Sequence, residues 1–380
     1  MKPRVAISAY YFALLAAVGS FYPYFALYLT SVGLSTATAT RIVAIVPLMG
    51  LVAPPIFGLA ADARSARIWL LRGLSVATAV AFTLFALVGN HLAAVIAVTV
   101  LFALLRAPLN SLADATAFEH IRLHGGTYGS LRLWGSLGYL VLVFGGGALI
   151  EVTSPRSFIV TTTLALTLGA LFAWRMPAPP VHRNERATGA WTRMLRTRSL
   201  WLFLASVLVA QAAATVYDTT FAVYLKTLGH GGTFTGAATA VGVAVEVAFM
   251  ARSGPILARL GEARALVIAF SVAALRWFLA AHITGWALLL LQPLHAITFG
   301  LYWIAATTLM RDYAGPEALA SGQGLFAAVT ATGSVIGNNF GGSILDRAGG
   351  RGLMLTMSAV AAVAAVGAAA HAVAFARRAP

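Results

Sequence analysis

Twelve stretches of this 380-residue chain are apolar for about nineteen residues or more. They lie at roughly 5–30, 40–61, 67–88, 92–119, 127–150, 156–174, 199–228, 234–256, 264–282, 286–310, 318–343 and 352–375. A helix rises 1.5 Å per residue, so about twenty such residues cross the ~30 Å hydrocarbon layer of a bilayer. Backbone groups in lipid must be satisfied internally, which leaves helices or closed barrels, and runs of this length suit helices. The expected fold is all-α and integral to the membrane, with twelve transmembrane helices, numbered here as spans 1 to 12. The charge content agrees: 10% charged residues cannot cover a soluble surface, which takes roughly a quarter.

The net charge of +15 raises the question of nucleic acid. The distribution answers it. Eighteen of the 26 Lys and Arg fall on one side of the spans. Five fall on the other, Arg41, Arg156, Lys226, Arg347 and Arg351, and three fall inside, Arg106, Arg132 and Arg276. That asymmetry is the positive-inside pattern and puts both termini in the cytoplasm of a multi-pass protein, expected in a bacterial inner membrane. No basic domain stands outside the membrane, so no nucleic-acid partner is expected. There is no cysteine, hence no thiol nucleophile or Cys-type metal site. The sequence also lacks a nucleotide-binding loop, metal-ligand spacing or catalytic triad, so no cofactor, metal or enzymatic activity is expected.

One long polar connection, Arg175 to Arg198, divides the spans six and six. It predicts an N-terminal lobe at 1–175, a cytoplasmic linker at 176–198 with a short surface helix near Trp191–Leu195, and a C-terminal lobe at 199–380. The halves are related. FALYLTSVGL at Phe25–Leu34 matches FAVYLKTLGH at Phe221–His230, an offset of 196. At an offset of 198, Gly135-Ser136 of span 5 falls on Gly333-Ser334 of span 11. Six-span repeats are the mark of a two-lobed transporter with its site between the repeats. Glycines 145, 146 and 147 and glycines 333, 337 and 341 are spaced for close helix packing.

Ionisable groups at bilayer depth are costly, and by default they mark function. In the first half Arg106 and Asp114 lie on span 4 and Arg132 on span 5. Asp114 and Arg132 are expected at similar depth, as a structural ion pair or as a clamp on substrate. Arg106 precedes Ala107-Pro108, and the carbonyls freed by that proline are one place for its guanidinium. In the second half Asp218 lies on span 7, Glu246 on span 8, Arg276 on span 9 and His295 on span 10. Glu246 falls opposite Gly50 and Asp218 opposite Tyr22 in the repeat, so these acids are not duplicated scaffold.

The turn after span 2, Gly58-Leu-Ala-Ala-Asp62-Ala-Arg64, is similar to a loop of the major facilitator superfamily. That resemblance implies a gating latch of Gly58, Asp62 and Arg64, although Ala63 stands where the family has a basic residue. The run Tyr128-Gly-Ser-Leu-Arg132-Leu-Trp134-Gly-Ser136 resembles span 5 of the phenylpropionate permease branch, which is related to the lactose permease type of proton symporter. Leu109–Ala117, Val241–Gly261, Leu275-Arg276-Trp277, and Leu294-His295 with Phe299-Gly300 resemble its spans 4, 8, 9 and 10. The resemblance implies that Asp114 and Arg132 bind substrate and that Glu246, Arg276 and His295, with Asp218, couple protons. Thr298 departs from the lactose type, which has a second Glu there.

The expected function is a proton-coupled importer of a small organic solute working by alternating access. In its partners the expectation is a monomer in the lipid bilayer that binds small-molecule substrate and protons. One surplus positive charge in the first lobe and one surplus negative in the second point to an anionic substrate and a proton. Aromatic residues on spans 1 and 7, Tyr22, Tyr24, Phe25, Tyr217 and Phe221, could wall a ring, with Arg106 and Tyr302 as further candidates for binding. The expected solute is an aromatic or amphipathic monocarboxylate. A neutral nucleoside or sugar, a proton-antiporting exporter of hydrophobic compounds, and a non-transporting sensor remain as alternatives.

Overall fold

The computed structural model describes residues 2–63, 67–125, 128–177, 194–315 and 319–376. Among them every regular element is helical and none is a strand. Ten helical stretches are long and apolar enough to cross a membrane. The last of these contains two helices divided at Gly349, where φ is 66°. Only glycine adopts that conformation readily. A further apolar helix, Ser157–Ala173, is seventeen residues long. Together these account for all twelve spans. Arg64 lies outside the described residues, and of Gly58 and Asp62 only the helical backbone is described. The stretch expected as a surface helix at Trp191–Leu195 is described only from Met194 onward.

The chain divides into two compact units: Met1–Arg183 with Thr219–Ala237, and Asn184–Asp218 with Ala238–Pro380. Residues 219–237 therefore pack with the first unit, although they follow the linker in sequence. Some of the contacts are backbone to backbone. A side chain on Gly147 would run into the carbonyl of Gly232, and one on Gly232 into that of Gly147. Beside them Glu151 accepts a hydrogen bond from the Thr233 amide at 2.7 Å, capping the helix Gly232–Met250 at its positive end.

Each unit also has its first span meeting another along glycines. In the first unit a Cβ on Gly138 would strike the Phe12 carbonyl, and a Cβ on Gly19 would lie 2.5 Å from the Tyr139 carbonyl. Spans 1 and 5 thus pack at the distance that small residues allow. In the second unit Gly333 faces the Leu208 carbonyl and Gly337 the Ala212 carbonyl, joining spans 7 and 11 in the same way. Gly145 meets nothing, so it takes no part in the seam.

The rest of each unit is packed by side chains. Phe21, Phe25, Phe82, Phe85, Phe102 and Phe158 form one connected aromatic core in the first unit, all buried. In the second, Phe203, Phe270, Leu301, Leu309 and Met310 belong to one buried cluster. These cores hold the backbone that carries the charged groups.

Candidate functional site

The second unit gathers its buried charges around one guanidinium. Arg276, on the helix Glu262–Ala280, is 3% exposed. It donates to Gln292 Oε1 at 2.9 Å, to the Tyr217 hydroxyl at 3.1 Å and to Thr298 Oγ1 at 3.2 Å. It also lies over the Tyr217 ring, 4.7 Å from its centroid. Tyr217 in turn donates to Gln292 Oε1 at 2.7 Å, and Gln292 is anchored on the Leu288 carbonyl. Arg276 Nη1 is 3.5 Å from His295 Nδ1, and His295 Nε2 is 3.0 Å from Glu246 Oε2. Guanidinium, imidazole and carboxylate therefore form a line across spans 9, 10 and 8. A buried charge is tolerable in such a line because each group has a partner. Asp218 borders the same cluster, with His295, Arg276 and Glu246 as its charged neighbours.

The backbone of span 10 is irregular where this line crosses it. Gly285–Leu294 is a 3₁₀ helix, His295 follows, and Ala296–Leu301 is a π-helix before the α-helix Tyr302–Ala314 begins. Ten residues of 3₁₀ are unusual, and π segments cluster at functional sites. Pro293, which lacks an N–H, lies inside the first segment. Stacked on the His295 ring is Phe299, and on that Trp303, at 5.4 and 5.7 Å.

Two glycines make the approach of span 8 possible. A Cβ on Gly242 would stand 3.2 Å from His295 Cβ, and one on Gly300 would stand 3.2 Å from Glu246 Cγ. Gly300→Val should push the Glu246 side chain off His295 and destabilise the protein by about 1–3 kcal/mol through overpacking. Thermal unfolding of the purified variant checks the stability. An unchanged midpoint would show that the Glu246 side chain yields freely and is not held.

In the first unit the acid and the bases are apart. Asp114 Oδ1 accepts two phenol hydroxyls, Tyr11 at 2.5 Å and Tyr128 at 2.8 Å. No salt bridge joins it to Arg132. The Arg132 guanidinium instead lies over the Tyr11 ring, 5.5 Å from the centroid, and beside Gly135. Arg106 lies over the Tyr22 ring at 5.6 Å and bonds none of the carbonyls near Pro108. Among the described residues neither guanidinium has a hydrogen bond or an ion pair. Tyr satisfies Asp114 because a phenol O–H is a strong donor that carries no charge into the bilayer.

The aromatic residues expected as a ring wall are mostly packed away. Tyr24 and Phe25 are fully buried, with the Tyr24 hydroxyl on the Val143 carbonyl, and Phe221 is 5% exposed. Tyr302 is 2% exposed within the second core. Tyr22 and Tyr217 are half-buried, each against a guanidinium. Sequence reasoning missed Tyr11, Gln292 and the partner role of Tyr128. Gln292 had a signal, since a Gln three residues before His295 in an apolar run needs partners for both ends of its amide.

The family described as MFS_1 like matches residues 5–355. The chain is 29% identical to the maltose permease of Geobacillus stearothermophilus over 349 residues, covering 89% of this chain and 86% of that protein. It is 28% identical to the probable 3-phenylpropionic acid transporter of Escherichia coli (strain K12) over 365 residues, covering 92% and 93%. In three dimensions it resembles the nucleoside transporter NupG, with a TM-score of 0.86 at 15% identity, covering 98% of this chain and 99% of that one. The POT family transporter PepTSo superposes with a TM-score of 0.77 at 10% identity, covering 100% and 99%. The fold is that of major facilitator transporters.

Proposed function

Because the chain belongs to the MFS_1-like family of major facilitator transporters, which are not enzymes, we propose that it imports a small monocarboxylate with an aromatic or amphipathic body. Import is coupled to protons and proceeds by alternating access. The observation that carries the reading is the pair of guanidiniums in the first unit that no carboxylate among the described residues meets, Arg106 and Arg132. An unpaired positive charge at bilayer depth is unfavourable until an anion arrives. Arg132 offers the planar fork that a carboxylate takes in two hydrogen bonds. Its place over Tyr11 keeps the fork near Asp114 without using it. On this reading the line from Arg276 through His295 to Glu246 handles the proton. The excess of Lys and Arg on one side supports cytoplasmic termini, and on this reading the membrane is the bacterial inner membrane.

One observation favours a second reading. Asp114 held by two tyrosines is a hydrogen-bonding group suited to hydroxyls, and one relative is named a maltose permease. A neutral sugar would bind there without engaging a guanidinium fork.

The experiment is a binding comparison on purified protein with 3-phenylpropionate, its amide and maltose. The acid should bind and the amide should bind at least tenfold more weakly. Arg132→Lys keeps the charge but loses the fork, and should weaken the acid by about tenfold or more, the worth of one charge-assisted hydrogen bond. A wild type that takes the amide as well as the acid would end the anionic reading. Maltose binding in place of the acid would establish the second.

A further inference from the structure

One outer corner of the first unit carries two tryptophans and an arginine that neither its aromatic core nor the charged groups of the site account for. Trp69 lies at the start of the helix Arg67–Thr83 and Trp174 at the end of the helix Ser157–Ala173. Their rings stand 5.9 Å apart at 76° and are 61% and 52% exposed, so both are open to the surroundings. The Arg72 guanidinium lies over both rings, 4.9 Å from the Trp69 centroid and 5.5 Å from that of Trp174. It donates from Nε to the Ala173 carbonyl at 3.3 Å and from Nη2 to the Met176 carbonyl at 3.1 Å. A positive charge is favoured there, at the C-terminal end of a helix. The remaining N–H groups of Arg72 have no partner among the described residues, and the side chain is half-buried. Arg175, beside Trp174, is exposed. Among the described residues no carboxylate pairs with either arginine.

Away from the rings both helices turn an apolar stripe outward. Trp69, Gly73, Val76 and Val80 recur at helical spacing and are all exposed. On the other helix Leu164, Leu168 and Leu171 are exposed in the same way. A Cβ on Gly73 would meet nothing, so this glycine leaves a notch one turn from Trp69. The corner thus joins an apolar strip of the length of a span to a cluster of N–H donors at its end.

The chemistry selects the occupant. A free anion would use the guanidiniums and leave the strip and the notch bare. A second copy of the chain, seated on the same corner, would set two arginines against two more. A zwitterionic headgroup would bring an ammonium to a place with two guanidiniums and no carboxylate. A phosphate on an acyl chain fits both parts, and tryptophan is at home at the headgroup level. Basic pockets between helices on the Lys- and Arg-rich side meet the anionic leaflet. We propose that this corner binds one anionic phospholipid. Its phosphate accepts from Arg72, Arg175 and the indole N–H groups of Trp69 and Trp174, and one acyl chain lies along Gly73, Val76 and Val80. The bound headgroup ties together the ends of the two helices that Arg72 already bridges. This site is independent of which solute the protein carries.

The test uses the full chain, purified in detergent, stripped of lipid and titrated with dioleoyl phosphatidylglycerol or dioleoyl phosphatidylcholine. Native mass spectrometry counts the lipids retained, and thermal unfolding reads their effect on the fold. One phosphatidylglycerol should be held about tenfold or more tightly than phosphatidylcholine, as two basic residues beside an anionic headgroup require, and should raise the midpoint. Arg175→Gln leaves the carbonyl contacts of Arg72 in place and should weaken that lipid about fivefold. Gly73→Leu fills the notch and should lose the retained lipid while the fold is kept, because leucine suits an exposed helical position better than glycine. Arg72→Gln should lose it as well, and if that variant fails to fold the other two carry the test. Equal retention of the two lipids would overturn the site, leaving an unspecific belt of aromatic residues. So would phosphatidylglycerol held undiminished by both Arg175→Gln and Gly73→Leu. A midpoint raised as far by inorganic phosphate would replace the lipid with a free anion, and a lipid-free dimer would replace it with a second copy; either result overturns the proposal.

Discussion

Glu246→Gln should abolish uphill accumulation of substrate while leaving exchange of preloaded substrate intact. Glutamine keeps the shape and can still hydrogen-bond His295, which stands 3.0 Å from the wild-type carboxylate. It cannot gain or lose a proton. The line from Arg276 through His295 then ends on a neutral group, and the two conformations no longer differ in proton occupancy at this point. A ligand shifts an equilibrium only by its differential affinity for the two states, so a proton with no site in either state drives nothing. Exchange needs only that the loaded carrier reorient. The measurement is 3-phenylpropionate uptake into proteoliposomes under an imposed pH gradient, beside counterflow at equal pH. A variant that still concentrates substrate would remove Glu246 from the coupling path. Loss of both activities would show a structural role in place of a coupling one.

Gly337→Val should be the most destructive single change in the second unit. A Cβ at this position would collide with the Ala212 carbonyl and come within 2.8 Å of Thr215 Cγ2. The clash is with backbone, which cannot rotate away. Spans 7 and 11 would have to separate, pulling Ser334 from Gln211 and Thr215, which donate to it at 3.1 and 3.2 Å. Tyr217 and Asp218 lie one to two turns further along span 7, so the separation would also reach the site. The expected loss is about 3 kcal/mol or more, the upper end for overpacking. At Gly145, where an added Cβ meets nothing, the same change should be tolerated. Detergent-solubilised yield and thermal unfolding of the two variants check the contrast. A Gly337→Val protein as stable as Gly145→Val would refute the backbone contact.

The spans were legible because length and apolarity determine whether a segment can cross a bilayer, and both are local properties. The glycine seam of spans 7 and 11 was legible for a similar reason, since a small residue every fourth position marks one helix face. Gly145 shows the limit of that rule: spacing does not say which glycine faces a neighbour. Asp114 shows another. Charge counting looks for the opposite charge, and Arg132 was the nearest in the hairpin. The partners are instead Tyr11 and Tyr128, because a neutral donor satisfies a carboxylate without bringing a second ion out of water. The burial of Tyr24, Phe25 and Phe221 was not readable at all. An aromatic residue on a span can face core, lipid or substrate, and hydropathy scores the three alike. The winding change at His295 left only Pro293 as its trace in the sequence.

That winding has a mechanical consequence. A 3₁₀ helix advances about 2.0 Å per residue against 1.5 Å for an α-helix. The ten residues of Gly285–Leu294 therefore reach about 5 Å further along the axis than an α-helix of the same length. Span 10 is in this sense telescopic. Rewinding three residues from 3₁₀ to α would draw His295 about 1.5 Å along the axis, and both ends of the span stay where they are if the wider-wound segment Ala296–Leu301 extends by the same amount. A displacement of that size at right angles to the 3.0 Å contact with Glu246 would stretch it to about 3.4 Å, past the usual N–H···O range of 2.7–3.2 Å. The imidazole could thus be connected and disconnected by a stroke confined to one helix.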